Sequence, residues 1–579
     1  MEQSDKELRV GVFFRNQYQN HPRQCVIIAF WLIAILLGII HAWTGRHAMC
    51  PDGVSYLDIG DAYFRGDWNM ALNAYWSPFY SWLLGLIMFL LKPSPYYEFT
   101  VVHIVNFVIY LFALASFHFF LIGLARFHRN WVVKISKDGY VALSEEILLA
   151  LGYALFIWSS LHLISIEVVT PDMCVSAFIY LISGLLLRIR MGVISWLRFI
   201  ILGIILGFSY LSKSSMFIVS FIILGSSVFL LGNLRKAIPR TVTALIVFLL
   251  IISPFISILS KTKGRFTFGD AGKINYLWFV NDDTPYGYHL EDARLKHPLR
   301  LLSSTPKIYE FEMPIHGTYP LHYDPSYWLE GIKLKFDLRK QISALMRNIK
   351  GMLKGYKSDI IIYGVLLFFF MGYRRRLFIK DMLEYWFLII PAVLALAMYS
   401  LVLVLPRYIG PFLVILWMGI FSTVHLRESQ ETKKWMTNTI VCMLLLISIP
   451  VGYSAIRPTY SLFKYLIKGE DSRVHVHWQI AEALKKMGFH PGDKMCYIGR
   501  SYDVYWARLA KLQIVAEIQG DGNVSPYEAS YLADPIVIES LAKIKVKAIV
   551  AQITSEKPSS LTNWKQIGNT NYYVYILKR

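Results

Sequence analysis

Charge is scarce in this chain: Asp, Glu, Lys and Arg make up only 17% of its 579 residues. Hydrophobic residues make up 55%, and mean hydropathy is +0.44. That balance excludes an ordinary soluble protein and points to a membrane protein with many spans. Cysteine is scarce as well. Cys25, Cys50, Cys174, Cys442 and Cys496 show no CxxC and no paired spacing, which argues against a disulfide framework and against thiolate zinc. Acidic residues are outnumbered, 39 against 59 basic, for a net charge of +20. The basic residues recur in short clusters between apolar runs, which is the positive-inside pattern and not a nucleic-acid-binding block. Membrane lipid phosphates can attract the remainder. There is no internal repeat and no low-complexity run, which weighs against an inverted-repeat transporter. Gly499-Arg-Ser-Tyr-Asp503 follows a strand-like segment, but it is neither a GxGxxG nor a Walker loop, so nucleotide binding is not supported.

What is present in abundance is apolar sequence. Runs at about 24–43, 99–125, 145–164, 173–187, 199–211, 216–231, 241–259, 358–372, 384–404, 409–425 and 436–455 predict about eleven transmembrane helices. The first run lacks a small-residue cleavage site and reads as a retained span. The apolar stretch Ser77–Leu91 is short for a span and reads as a helix lying in the interface. With that choice the basic loops fall on one side, taken as cytoplasmic. The chain then divides into a cytoplasmic tail (1–23), a membrane domain (24–455) with external loops 44–97 and 260–357, and an external C-terminal region (456–579). In that last region helix patterns (478–488, 502–510, 535–544) alternate with strand patterns (494–499, 513–518, 548–553, 572–577), predicting a small α/β domain. The fold class expected is an all-α polytopic membrane protein with a small C-terminal α/β domain.

Unusual groups gather at span ends on the external side. Asp52, Tyr56, Asp58, Asp61 and Arg65 lie in the loop after the first span. Glu167 and Asp172 follow the third span, Lys213 the fifth, and Arg407 with Tyr408 the ninth. Ionisable groups at a membrane boundary are costly to desolvate and mark candidate sites. Mixed acids and bases suit chemistry on a phosphate and a hydroxyl, with an acid to take a proton and Lys or Arg to hold a phosphate leaving group. Each group also has a plain structural role open to it: Asp58 and Asp61 as a solvated helix face, Asp172 as a helix-start acid, Lys213 snorkelling, Arg407 and Tyr408 as interfacial anchors. His316, His322 and Asp324, and the pair His475 and His477, match no strong metal signature. The aromatic, proline-rich segment around Tyr319 to Trp328 suits either a lid that stacks on sugar rings or plain loop packing.

The order of motifs adds a family. A first span, then Asp52-x-x-x-Tyr56, then Gly66-Asp67-Trp68, then Tyr75-Trp76-Ser77-Pro78 resembles the GT-C superfamily of membrane glycosyltransferases. It is most similar to the branch of protein O-mannosyltransferases and lipid A aminoarabinose transferases. Thr170-Pro171-Asp172, Tyr210-Leu-Ser-Lys213 and Pro406-Arg407-Tyr408 resemble further landmarks. The resemblance implies a polyprenyl-phosphate sugar donor, an acceptor hydroxyl of unstated kind, and inversion at the anomeric carbon. It implies Asp52 as the catalytic base or an acceptor-binding acid; together with the one-sided cluster, this points to Asp52 as catalytic and to Tyr56, Asp58, Asp172, Lys213, Arg407 and Tyr408 as substrate-binding. It also implies a prokaryotic plasma-membrane protein with its site facing the periplasm or exterior. Where relatives carry a further acid, this chain has Tyr75-Trp76-Ser77-Pro78. No cofactor is therefore firmly implied, and a divalent metal stays open. The alternative, a transporter or flippase of a lipid-linked or anionic solute, would favour charges near mid-span, whereas these sit at span ends.

Overall fold

The computed structural model describes residues 22–136, 139–192, 195–281, 294–311, 314–355, 381–468, 475–519, 535–553 and 563–577. Its membrane part comprises α1 (Pro22–Thr44), α2 (Pro51–Arg65), α3 (Pro78–Leu91), α4 (Glu98–Ser136) and α5 (Glu145–Trp158), the last running on as a π-helical turn to Ile164. There follow α6 (Asp172–Arg190), α7 (Trp196–Ser212), α8 (Met216–Phe229), α9 (Leu234–Lys263), α10 (Leu338–Gly355), α11 (Trp386–Ser400), α12 (Pro406–Phe421) and α13 (Gln430–Lys468). Among the described residues, seven helices are long and apolar enough to cross a membrane, while α3, α7, α8 and α12 are apolar but shorter. The expected span at 358–372 lies outside the described residues. The protein is thus a polytopic helical membrane protein with a small C-terminal sheet domain.

The enclosed helices are central. The apolar windows of α5 and α6 are 83% and 89% buried, against 17% for α1 and 22% for α9, which present their sides outward. Local chemistry sets the ends that matter. Pro51 begins α2 with its fixed φ, and Gly66 ends it at φ 75°, a left-handed conformation that glycine adopts without a Cβ penalty. Asp67 then caps the next short helix by accepting from the Met70 N–H. So the Gly66-Asp67-Trp68 motif is a stop followed by a start.

α2 and α3 cross where two glycines meet. A Cβ on Gly60 would lie 2.7 Å from the Ser81 carbonyl oxygen, and one on Gly85 would lie 2.7 Å from the Gly60 oxygen. Gly60→Ala is therefore expected to cost about 1–3 kcal/mol through overpacking. A thermal unfolding scan of the purified variant checks this, and an unchanged midpoint would mean that the helices have room to part.

The C-terminal domain holds α14 (Val476–Lys486), α15 (Tyr505–Ala510) and α16 (Pro535–Lys543), with five strands of its own. Nine strands are described in all: β1 (Tyr140–Ala142), β2 (Arg300–Ser304), β3 (Lys307–Glu310), β4 (His425–Arg427), β5 (Lys494–Ile498), β6 (Gln513–Ile518), β7 (Ala548–Gln552), β8 (Lys565–Gln566) and β9 (Tyr572–Ile576). The seven-stranded sheet has the order β2-β3-β6-β5-β7-β9-β8, with β5 parallel to both neighbours. The β2–β3 hairpin comes from the 260–357 loop and pairs antiparallel with β6, Ile308 opposite Ile518. That pairing was not expected from sequence. It ties the long loop to the C-terminal domain, and the loop carries His316 to Trp328 over α2.

Candidate active site

Four helix ends meet on the side of the membrane part that faces the C-terminal domain. Asp52 stands in the first turn of α2, Asp172 begins α6, Lys213 follows the last residue of α7, and Arg407 and Tyr408 open α12. An acid in a first turn and a cation just past a last turn both complement the helix dipole. Arg407 does not: a cation at a helix start is disfavoured unless acids compensate it. Here they do. Arg407 Nη2 lies 3.1 Å from Asp52 Oδ2, and its Nε lies 3.3 Å from Asp172 Oδ2. Lys213 Nζ lies 2.5 Å from Asp172 Oδ1 and 3.3 Å from the centre of the Tyr408 ring. The Thr170 hydroxyl donates to Asp172 at 3.0 Å. The result is a chain Asp52–Arg407–Asp172–Lys213 with two charges of each sign.

A histidine completes it. His322 Nε2 lies 3.4 Å from Asp52 Oδ1. The His322 carbonyl accepts from Ser55 Oγ and from the Trp76 indole N–H, each at 3.2 Å, which pins the loop onto α2. Burial opposes ionisation of Asp52, but His322 and Arg407 outweigh it and hold its carboxyl below the usual range. Asp52 is therefore an anion at neutral pH. Burial pulls the Lys213 ammonium down to about 8, with Asp172 pushing the other way. Tyr56 is buried edge-on between Trp76 and Tyr80, ring centres 5.1 and 5.2 Å away. Burial first, then the charges of Asp52 and Asp172, raise its phenol well above the ordinary value. It is a neutral wall of the site.

Asp58, also expected to bind substrate, stands apart from that chain. It accepts from the Thr318 N–H at 2.8 Å and hydroxyl at 3.1 Å, and Arg508 Nη1 lies 2.6 Å from it. Arg508 also reaches Asp61 at 2.7 Å and Glu98 at 2.6 Å. Asp58 is thus a joint between α2, the long loop and α15. It borders an open cleft of about 400 Å³, lined also by Arg65, Asp67, His316 and Lys511. His475 and His477 lie elsewhere, against the rings of His47 and Tyr505 respectively.

The donor set does not suit a divalent cation. Asp52 and Asp172 each face a guanidinium, and Asp172 faces an ammonium as well, so a metal would meet two positive charges. Among the described residues no group of three or more His, Cys, Asp or Glu side chains gathers in metal-binding geometry. The arrangement suits an anion instead, because Arg407 and Lys213 can exchange carboxylate for phosphate oxygens. Further into the membrane part lies a small apolar cavity of about 20 Å³ between α6, α8, α11 and α12, lined by Ile179, Ile182, Val219, Pro391, Phe412 and Ile415. Ile179 follows Asp172 by seven residues and Phe412 follows Arg407 by five, about 10 and 8 Å of helix rise.

No family model matches the chain, and no curated protein matches it in sequence. Solved structures similar to it include ArnT from Cupriavidus metallidurans in the apo state, at 12% identity and a TM-score of 0.49, covering 95% of this chain and 99% of that one. Another is the same protein bound to undecaprenyl phosphate, at 12% identity and a TM-score of 0.47, covering 95% and 98%. A third is the Archaeoglobus fulgidus oligosaccharyltransferase tethered to an acceptor peptide, at 13% identity and a TM-score of 0.47, covering 93% and 70%.

Proposed function

We propose that the protein is an inverting glycosyltransferase that moves a sugar from a polyprenyl-phosphate donor to an acceptor hydroxyl on the external face of its membrane. The observation that carries the reading is the Asp52–Arg407–Asp172–Lys213 chain at four helix ends. The motif order of the first external loop supports the same assignment.

In this mechanism the acceptor oxygen attacks the anomeric carbon as the bond from that carbon to the phosphate oxygen breaks. Asp52 takes the hydroxyl proton, and His322 keeps its carboxylate oriented. The electron pair of the broken bond leaves with the lipid phosphate, whose growing charge Arg407 and Lys213 stabilise. Asp172 positions both cations. One displacement inverts the anomeric centre. Tyr56 and Tyr408 wall the site against water.

Mass spectrometry of lipids that co-purify with the wild type, Lys213→Ala and Arg407→Ala tests this. A polyprenyl phosphate or its sugar adduct, at least about tenfold depleted in both variants, is expected. Bulk phospholipid alone, unchanged by the substitutions, would overturn the reading.

A pH limb follows from Lys213. Its folded value lies below the ordinary lysine value, so its charge persists at pH 7 and is lost as the pH climbs through about 8. Retention of the lipid phosphate should fall over that interval, and Lys213→Arg should abolish the fall, because a guanidinium keeps its charge. Retention that stays flat across pH 8 in the wild type would remove Lys213 from phosphate binding.

A further inference from the structure

α10 is three-faced. Its sequence, Leu338-Arg-Lys-Gln-Ile-Ser-Ala-Leu-Met-Arg-Asn-Ile-Lys-Gly-Met352, places Gln341, Ala344, Leu345, Asn348 and Met352 on one face at helical spacing, and these pack against the protein. A second face carries Leu338, Ile342, Met346 and Ile349, all exposed. On a wheel of about 100° per residue these four fall within about 80°. The third face carries Arg339, Lys340, Arg347 and Lys350, which are exposed. The approach to the helix continues the theme: Lys333, Leu334, Lys335 and Phe336 are exposed, and Phe336 is 76% accessible.

The packed face fixes the depth of the helix. Gln341 Nε2 donates to the Leu401 carbonyl at 2.7 Å, and Asn348 Nδ2 donates to the Ser400 carbonyl at 2.9 Å. These carbonyls lie at the end of α11, a membrane-spanning helix, beside Tyr399, whose hydroxyl bonds Ser215 at 2.8 Å. On the third face Arg347 and Lys340 reach the Phe279 and Asn281 carbonyls, which anchors them to the protein. α10 is therefore held at the membrane boundary on the site's side, with an apolar stripe beside a basic one.

We propose that α10 is a docking surface for anionic phospholipids of the leaflet on the site's side. Leu338, Ile342, Met346 and Ile349 enter the acyl boundary, and Arg339, Lys350, Lys333 and Lys335 hold headgroup phosphates. Between Lys333 and Met352 the only acid is Asp337, so the charge complements an anionic headgroup. The proposal rests on the placement of α10 and not on the glycosyltransferase reading. Lipids on this surface would line the approach to the end of α11, next to the charged chain.

The full-length protein in nanodiscs of phosphatidylcholine, with or without about 30% phosphatidylglycerol, tests the proposal in two arms. A bimane label on Ile342→Cys, made in a Cys442→Ala background, should be quenched by brominated lipid and not by aqueous iodide. In native mass spectrometry, Arg339→Gln/Lys350→Gln should retain at least about fivefold less phosphatidylglycerol, with unchanged phosphatidylcholine and an unchanged unfolding midpoint. Quenching by iodide would place the stripe in water, and shielding from both quenchers would place it under protein. Either result, or equal phosphatidylglycerol retention, would overturn the proposal. Polyprenyl phosphate retention in the same spectra reads the donor site separately, so loss of one assignment leaves the other standing.

Discussion

Asp52→Asn is expected to lower sugar transfer by about 10²–10⁴-fold, the range for removing a general base. Expression, unfolding midpoint and retention of the polyprenyl phosphate should stay near wild type. The substitution keeps the side chain's size and removes its charge, so His322 and Arg407 still have a polar neighbour. Arg407 also keeps Asp172. The donor would then sit where it did, with nothing to take the acceptor's proton. The assay is turnover in proteoliposomes, using the donor identified from the co-purifying lipid. Turnover within about tenfold of wild type would strip Asp52 of the base role. His322→Gln should be milder, because His322 orients Asp52 and does not itself take the proton. A split between kcat and the acceptor KM would separate that role from acceptor binding.

The largest effect on stability is expected from Arg508→Met. Arg508 is 3% exposed and meets Asp58, Asp61 and Glu98, all within 2.7 Å. Lys511 assists from 3.8 Å at Asp61 and 3.5 Å at Glu98. Removing the guanidinium leaves buried carboxylates short of a cation, a change that typically costs about 3–5 kcal/mol. Arg508→Lys should rescue only part, because an ammonium cannot match three carboxylates with a fork of donors. The pH dependence distinguishes this from lost packing. Burial opposes ionisation of Asp61, but Arg508 and Lys511 outweigh it and depress its carboxyl below 3.8 in the folded wild type. The stabilisation it contributes is therefore present above that value and is lost only as the pH falls through the lower folded one. In Arg508→Met Asp61 loses its main cation and binds a proton more readily, so mild acid should raise the variant's unfolding midpoint and leave the wild type's unchanged. A variant midpoint equal to the wild type's at pH 7 would sink the clamp.

That clamp also shows which partner of Asp58 the sequence did not reveal. Asp52 and Asp58 share a loop and a helix, and six residues at about 100° each set them about 120° apart. Asp52 faces the four helix ends, and Asp58 faces α15. Arg508, the partner that claims Asp58, lies 450 residues away in the chain. Local pattern carries no information about such a contact. The same holds for His322, whose aromatic, proline-rich segment was legible as either a lid or a packed loop while its own contact with Asp52 was not.

Asp172, Lys213, Arg407 and Tyr408 were easier to single out. An ionisable side chain at the end of an apolar run is conspicuous because desolvation makes it costly. Alternation of the basic loops then assigns such residues to one side of the membrane. The structure adds that Arg407 stands in a first helical turn, where the dipole opposes a cation.

Sequence alone determined that this is a polytopic helical membrane protein with an α/β C-terminal domain. Hydrophobic run length and the alternation of strand and helix periods are one-dimensional signals set by bilayer thickness and backbone geometry. Sequence also determined which charged residues stand at helix ends. Only the tertiary structure decided which of them touch: Arg407 between Asp52 and Asp172, Lys213 on Asp172, and Asp58 turned to Arg508. It alone brought the β2–β3 hairpin into the C-terminal sheet. Strand pairing and ion pairing depend on distance in space, and helix packing sets that distance between residues the chain keeps hundreds of positions apart.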